Sequence, residues 1–261
     1  MKAITLLYHD VIDPARSRAS GFTSADAEIY KLSPADFEKH LEAIAAGGNP
    51  PVHTVTEILN ANSASTPVLL TFDDGGASAL ATADMLDRRG WKGHFFITTD
   101  RIGTPGFVDR AAVRDLHARG HVVGSHSCSH PPRISHLDDI QLNREWSESV
   151  QVLEDILGEK VETASVPGGF YSERVANFAR RSGIRVLFNS EPSARVQRNG
   201  EFVVLGRFGL QRDSPPERAR RFASGDAALL AREAAFWNAK KILKRAGGEQ
   251  WLAFRRWWHA R

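Results

Sequence analysis

Two adjacent carboxylates, Asp73 and Asp74, end the apolar run 68–72 and are followed by Gly75 and Gly76. Further along, His126 and His130 flank Ser127-Cys128-Ser129. One carboxylate with two imidazoles is a donor set for a divalent cation that keeps a coordination position open. The other carboxylate is then free to act as a general base. The chemistry that suits this combination is metal-assisted hydrolysis. Neighbouring side chains of an extended chain point to opposite sides, so both aspartates reach one ligand only if the backbone turns. Gly75-Gly76 permits that turn. Residue types alone leave open which aspartate binds and which takes the proton, and the same run would also serve as a capped strand-to-helix turn. Pro131-Pro132 disfavours helix at His130, which predicts a short turn rather than a helical HExxH arrangement. Cys128 is a candidate ligand or nucleophile, but it reads better as a small packed residue.

These residues need elements to hold them. Short runs rich in β-formers alternate with helical patterns. Strands are predicted at 4–8, 68–72, 94–98, 121–124, 162–166, 185–188 and 202–205. Helices are predicted at 77–89, 111–119, 137–157 and 172–182, with Gly90, Gly120, Gly158 and Gly183 closing them. Ser33-Pro34-Ala35-Asp36 has the form of a capped helix start, running to about Ala46. Residues 10–66 otherwise fit the rhythm poorly; 47–51 is a turn cluster and 60–67 a loop. The β-α-β-α order predicts a parallel sheet, and the number of units favours closure into a barrel. His9, Asp73-Asp74, His126, Pro167-Gly168-Gly169, Asn189-Ser190-Glu191 and Arg207 all follow strands, which is the face where barrel active sites form. His94, His121 and Asp100 read as structural, and Glu191 as a solvated loop residue.

Composition sets the limits. The chain has 261 residues, 42% hydrophobic and 25% charged, enough for a sizeable core. A single cysteine excludes an internal disulfide, so nothing demands an oxidising compartment. The apolar N-terminal run is too short for a signal-peptide core, and no run approaches a membrane span. The expected location is cytoplasmic. The net charge of +3 hides an asymmetry. Residues 212–261 hold 12 basic and 5 acidic side chains against 22 and 26 in residues 1–211. Four of the six tryptophans lie between 237 and 258. Such a tail suits helices covering the barrel, or a peripheral membrane contact. Nucleic acid is not expected, because no recognition motif accompanies the charge.

Thr71-Phe72-Asp73-Asp74-Gly75 and His126-Ser127-Cys128-Ser129-His130, with Gly93-His94-Phe95-Phe96-Ile97 between them, resemble the first two motifs and the intervening strand of the polysaccharide deacetylases of the NodB-homology type, carbohydrate esterase family four. The resemblance covers roughly residues 3–210. It implies an α/β fold, a distorted (β/α) barrel of about seven parallel strands, here with extra C-terminal helices. Two units follow: a deacetylase barrel at 1–211 and a basic, tryptophan-rich extension at 212–261. It also implies a divalent metal ion, zinc first and cobalt or nickel as alternatives, held by Asp74, His126 and His130, with Asp73 as base. The implied reaction removes acetyl from an N-acetylated oligo- or polysaccharide.

Ser165-Val166-Pro167-Gly168-Gly169 stands where the family's third motif carries arginine and proline. The Gly168 amide is the candidate oxyanion donor. Ser165 replaces the arginine that orients the base, and Arg207 is the candidate substitute. The family's late Leu-x-His motif, source of its general acid, is missing after residue 170. Leu7-Tyr8-His9-Asp10-Val11 resembles the N-terminal Tyr-His segment of deacetylases that modify exopolysaccharide, which makes His9 the candidate acid. Two alternatives stay open: a small-molecule amidase that needs no metal, and a catalytically silent sugar-binding protein of the same fold.

Overall fold

The computed structural model describes residues 1–47, 53–60 and 66–239. The turn at 47–51, the loop at 60–67 and the tryptophan-rich end of the tail fall partly or wholly outside that range. Among the described residues, nine strands form one sheet: β1 (Ile4–Tyr8), β2 (Val68–Phe72), β3 (Gly93–Ile97), β4 (Val122–Ser125), β5 (Thr163–Ser165), β6 (Val186–Phe188), β7 (Gln197–Asn199), β8 (Phe202–Leu205) and β9 (Phe208–Gly209). Their order is β7-β8-β6-β5-β4-β3-β2-β1-β9, and only the β7–β8 pair is antiparallel. The helices that accompany them include α1 (Ala25–Glu28), α2 (Pro34–Ala46), α3 (Val55–Asn60), α4 (Ala79–Asp87), α5 (Arg110–Ala118), α6 (Asp139–Leu157), α7 (Glu173–Arg181) and α8 (Pro216–Ala223). A further helical run occupies 227–239.

β8 and β9 are two halves of one run, interrupted only by Gly206 and Arg207. β8 lies beside β6, with Phe188 opposite Leu205, and β9 lies beside β1, with Leu6 opposite Phe208. The run thus touches both ends of the parallel series and curls the sheet into a distorted barrel. Counted once, it gives seven parallel strands, as expected. The extra segments come from this bend and from the short β7.

Alternation along the strands divides the core. Val68, Leu70 and Phe72 of β2 join Phe95 and Ile97 of β3 in the large cluster beneath the helices. Leu69, Phe96, Val186, Phe188, Val203 and Leu205 fill the barrel interior. His94 closes that interior from below: its Nε2 accepts the Val55 N–H at 2.9 Å, and its Nδ1 lies 3.0 Å from the Leu70 carbonyl. Helix starts follow the cap rules. Ser33, Asp109, Asp138 and Ser172 each accept a backbone N–H, and Asp138 with Gln141 completes a capping box. Ala219, Phe222, Ala223 and Leu229 lie in the same core as Phe37, Leu41 and Ile44 of α2, and Phe222 stacks on Phe208 at 5.0 Å. Residues 219–229 therefore pack on the barrel. Among the described residues, no helix is long and apolar enough to cross a membrane.

Candidate active site

Strand register assembles the site. Thr71 faces the barrel interior, so Asp73 does too. Continued extension would send Asp74 outward, but Asp74 takes φ +79° and turns its carboxyl back to the same side. The expected turn exists, one residue earlier than the glycines suggested. Asp74, Ser127 and His130 are the three non-glycine residues with positive φ among the described residues. Each such conformation costs on the order of 1–3 kcal/mol and persists only where its surroundings over-determine it. Here all three converge on one point.

Asp74 Oδ1 lies 3.4 Å from His126 Nε2 and 3.7 Å from His130 Nε2. One donor atom from each of the three residues lies within 4.8 Å of the others. Donors about 2.1 Å from a tetrahedral ion sit about 3.4 Å apart, so the set fits a cation of zinc size. His126 is pre-oriented for that part. Its Nδ1 faces the Ser165 carbonyl at 3.1 Å and the Ser165 hydroxyl at 2.5 Å, which leaves Nε2 toward Asp74. The His130 loop is pinned from α6. Glu145 accepts the Ser129 N–H at 2.9 Å and its hydroxyl at 2.6 Å, and the Glu145 carbonyl accepts the Cys128 N–H at 3.1 Å. The Ser127 hydroxyl accepts the His130 N–H at 3.2 Å.

Asp73 is held by Arg207. Nη1 donates to Oδ1 at 2.7 Å and Nη2 to Oδ2 at 2.8 Å. Arg207 is only 1% exposed, so it is not a solvated strand-end residue. Its Nε donates to the Asn189 carbonyl at 2.9 Å, and its plane lies over Phe96. The Ser165 hydroxyl donates to Asp73 Oδ1 at 3.0 Å. Oδ1 thus takes two donors, while Oδ2 faces His126 Nε2 at 3.8 Å. Burial alone would raise the Asp73 pKa, but the Arg207 guanidinium, then His126, outweigh it and hold the carboxyl well below its ordinary range. Asp74 behaves likewise: burial raises it, and His126, His9 and His130 together bring it down. Burial and the neighbouring His126 push His130 down to about 4, so at neutral pH its ring is an uncharged donor.

His9 follows β1, and the Tyr8–Phe72 pairing brings it alongside Asp73. It acts electrostatically on both aspartates and stacks on Tyr30 at 4.5 Å. Its Nδ1 is buried with no hydrogen-bond partner among the described residues. Gly168 has φ +60° in the turn after β5, beside the Pro132 carbonyl and hence beside the His130 loop. Cys128 is buried, and burial pushes its thiol up to about 12, which leaves it inert.

Two residues escaped sequence reasoning. Ser165 reads as a lost arginine, yet it links a candidate ligand to the candidate base. Glu145 carried a usable signal. It is an acid on the buried stripe of α6, among Leu142, Trp146, Ser149, Val150 and Leu153.

Residues 60–187 match the family described as Polysaccharide deacetylase. That segment holds Asp73, Asp74, His126, His130 and Gly168 but neither His9 nor Arg207. YheN of Bacillus subtilis, whose name places it with the polysaccharide deacetylases, is 31% identical over 110 residues, 41% of this chain and 37% of its own. The chain spans less than half the length of the curated relatives it matches. The polysaccharide deacetylase BC0361 of Bacillus cereus superposes with a TM-score of 0.71 at 17% identity, covering 88% of this chain and 69% of that one. IcaB of Ammonifex degensii gives 0.68 at 22%, covering 85% and 97%. The segment 60–187, which carries both motifs, matches the polysaccharide deacetylase family of the NodB-homology type.

Proposed function

We propose that the protein is a metal-dependent hydrolase that removes N-acetyl groups from amino sugars of a bacterial polysaccharide or its precursor. The observation that carries this reading is a carboxylate clamped by a buried arginine beside a separate Asp-His-His donor set. A divalent cation bound by Asp74, His126 and His130, zinc being the ion we expect, would polarise the acetyl carbonyl and acidify the attacking water. Asp73 takes the proton on Oδ2, because Oδ1 already accepts two hydrogen bonds. Arg207 keeps Asp73 ionised and aimed, at the expense of its proton affinity. The Gly168 N–H receives the developing oxyanion, and His9 returns a proton to the leaving amine.

Acetate release from N-acetylglucosamine oligomers tests the reading. The metal-loaded chain is expected to release acetate, to stop on chelation and to recover on zinc addition. Asp73→Asn should lower turnover by about 100-fold or more while still binding the metal. Turnover that survives chelation favours the small-amide reading, and metal binding without hydrolysis favours a silent sugar-binding protein.

A further inference from the structure

A wall beside His130 has no part in the chemistry above. Phe22 lies in the segment after β1, and Phe107 in the loop between β3 and α5. Their rings meet edge to face at 5.2 Å, and Phe22 lies 4.8 Å from the His130 ring. Both phenylalanines are half-buried, which leaves part of an apolar face toward solvent. Arg101 ends the short helical turn after β3. Its guanidinium carbon is 5.6 Å from the Phe22 centroid and 5.9 Å from that of Phe107. Arg101 is exposed and makes no ion pair with any described carboxylate. Its neighbour Asp100 acts on Arg144 and Cys128 instead.

This wall is anchored. Asp10, 3% exposed, accepts hydrogen bonds from the Ser20 hydroxyl and, at 2.8 Å, from the Ser78 hydroxyl. The Ser78 N–H donates to the Ser20 hydroxyl at 2.8 Å. A side chain on Gly21 or Gly76 would collide with the Asp10 carboxylate. Gly21 N–H donates to the Gly106 carbonyl at 2.7 Å, tying the Phe22 segment to the Phe107 loop. The aromatic pair is therefore fixed to the turn that bears Asp74.

A guanidinium laid on aromatic faces keeps its planar fork open and loses little freedom when it meets a carboxylate. It stands no farther from His130 than its separation from Phe22 and that of Phe22 from His130 laid end to end, the reach of a neighbouring saccharide unit. We propose that Phe22, Phe107 and Arg101 form a subsite for an acidic sugar adjoining the acetamido unit, with the rings under the sugar and Arg101 on its carboxylate. The subsite rests on the deacetylase reading for its place beside the reacting unit, but its ligand chemistry is independent of turnover.

The test uses the full metal-loaded chain and two tetrasaccharides, one alternating N-acetylglucosamine with glucuronic acid, the other made of N-acetylglucosamine alone. Calorimetric affinity and acetate release are both measured. The acidic tetrasaccharide is expected to bind about tenfold more tightly, with a preference that shrinks at high salt. Arg101→Gln should erase the preference while changing affinity for the neutral tetrasaccharide less than about twofold, and Arg101→Lys should restore part of it. Equal affinity of the unaltered protein for both, or equal weakening of both by Arg101→Gln, overturns the subsite. Arg101-dependent binding of the acidic tetrasaccharide without acetate release from either would uphold the subsite and sink the deacetylase reading. Acetate release from the neutral tetrasaccharide with no acidic preference would do the reverse.

Discussion

Asp73 accepts two hydrogen bonds from Arg207 and one from Ser165, so its oxygens are no longer equivalent. The Asp-Asp and His-x-x-x-His pairs were legible in the sequence, because spacing along two short segments is enough to bring each pair together. The Arg207 clamp was legible only as a candidate, since its partner lies far away in the chain and on another strand. Breaking a buried ion pair from one side costs about 3–5 kcal/mol, which is why the test of the base uses asparagine, which keeps an acceptor for Arg207. His9 permits a sharper test. As the acid, it matters only where the leaving group needs a proton. His9→Ala should slow N-acetyl hydrolysis by about 100-fold and hydrolysis of an activated aryl acetate by less than about threefold. Equal slowing of both reactions would remove His9 from that role.

At the scale of elements, α6 positions the loop of candidate metal ligands. A helix that reads as a plain amphipathic cover presents Glu145 to Ser129 and holds a loop containing two left-handed residues. Periodicity gave the helix and its buried face, but it could not say that one buried position is a carboxylate reaching into a neighbouring loop. Glu145→Ala should weaken metal affinity, read by chelator competition, by about 10- to 100-fold. Glu145→Gln, which can still accept the Ser129 N–H, should lose less. Unchanged affinity in Glu145→Ala would show that the loop holds its own shape. Residues 10–33 were the least legible element. Their fold depends on the buried Asp10 and on glycines pressed against it, contacts that leave no periodic trace.

The whole molecule should lose stability in mild acid before its surface carboxylates protonate. Burial lowers His94 from the ordinary 6.5 to about 4, and the Val55 N–H occupies the nitrogen that would take the proton. Burial likewise lowers His121 to about 4. Between pH 6.5 and 4 the unfolded chain binds protons that the folded chain refuses. The contribution of these two histidines is therefore complete above that window and falls as pH drops through it. His126, where Asp73 and Asp74 outweigh burial and raise the pKa, works in the opposite sense. Thermal melts of the metal-free protein at pH 7.5 and 5 should show the lower midpoint at pH 5, and His94→Gln should flatten the difference. An unchanged difference in that variant would place the acid sensitivity elsewhere. The parallel barrel was readable because apolar runs and capped helices alternate. The seam was not, because one run, 202–209, serves two neighbours.

That seam has a functional corollary. The residue at its bend is the same arginine that clamps Asp73, so the ionised state of that carboxylate is wired to circumferential completion of the scaffold. A nascent or partly opened chain, with the last staves unjoined, would carry both motifs intact yet leave Asp73 unclamped. The clamped carboxylate would then arrive last in assembly, as the final rivet goes in.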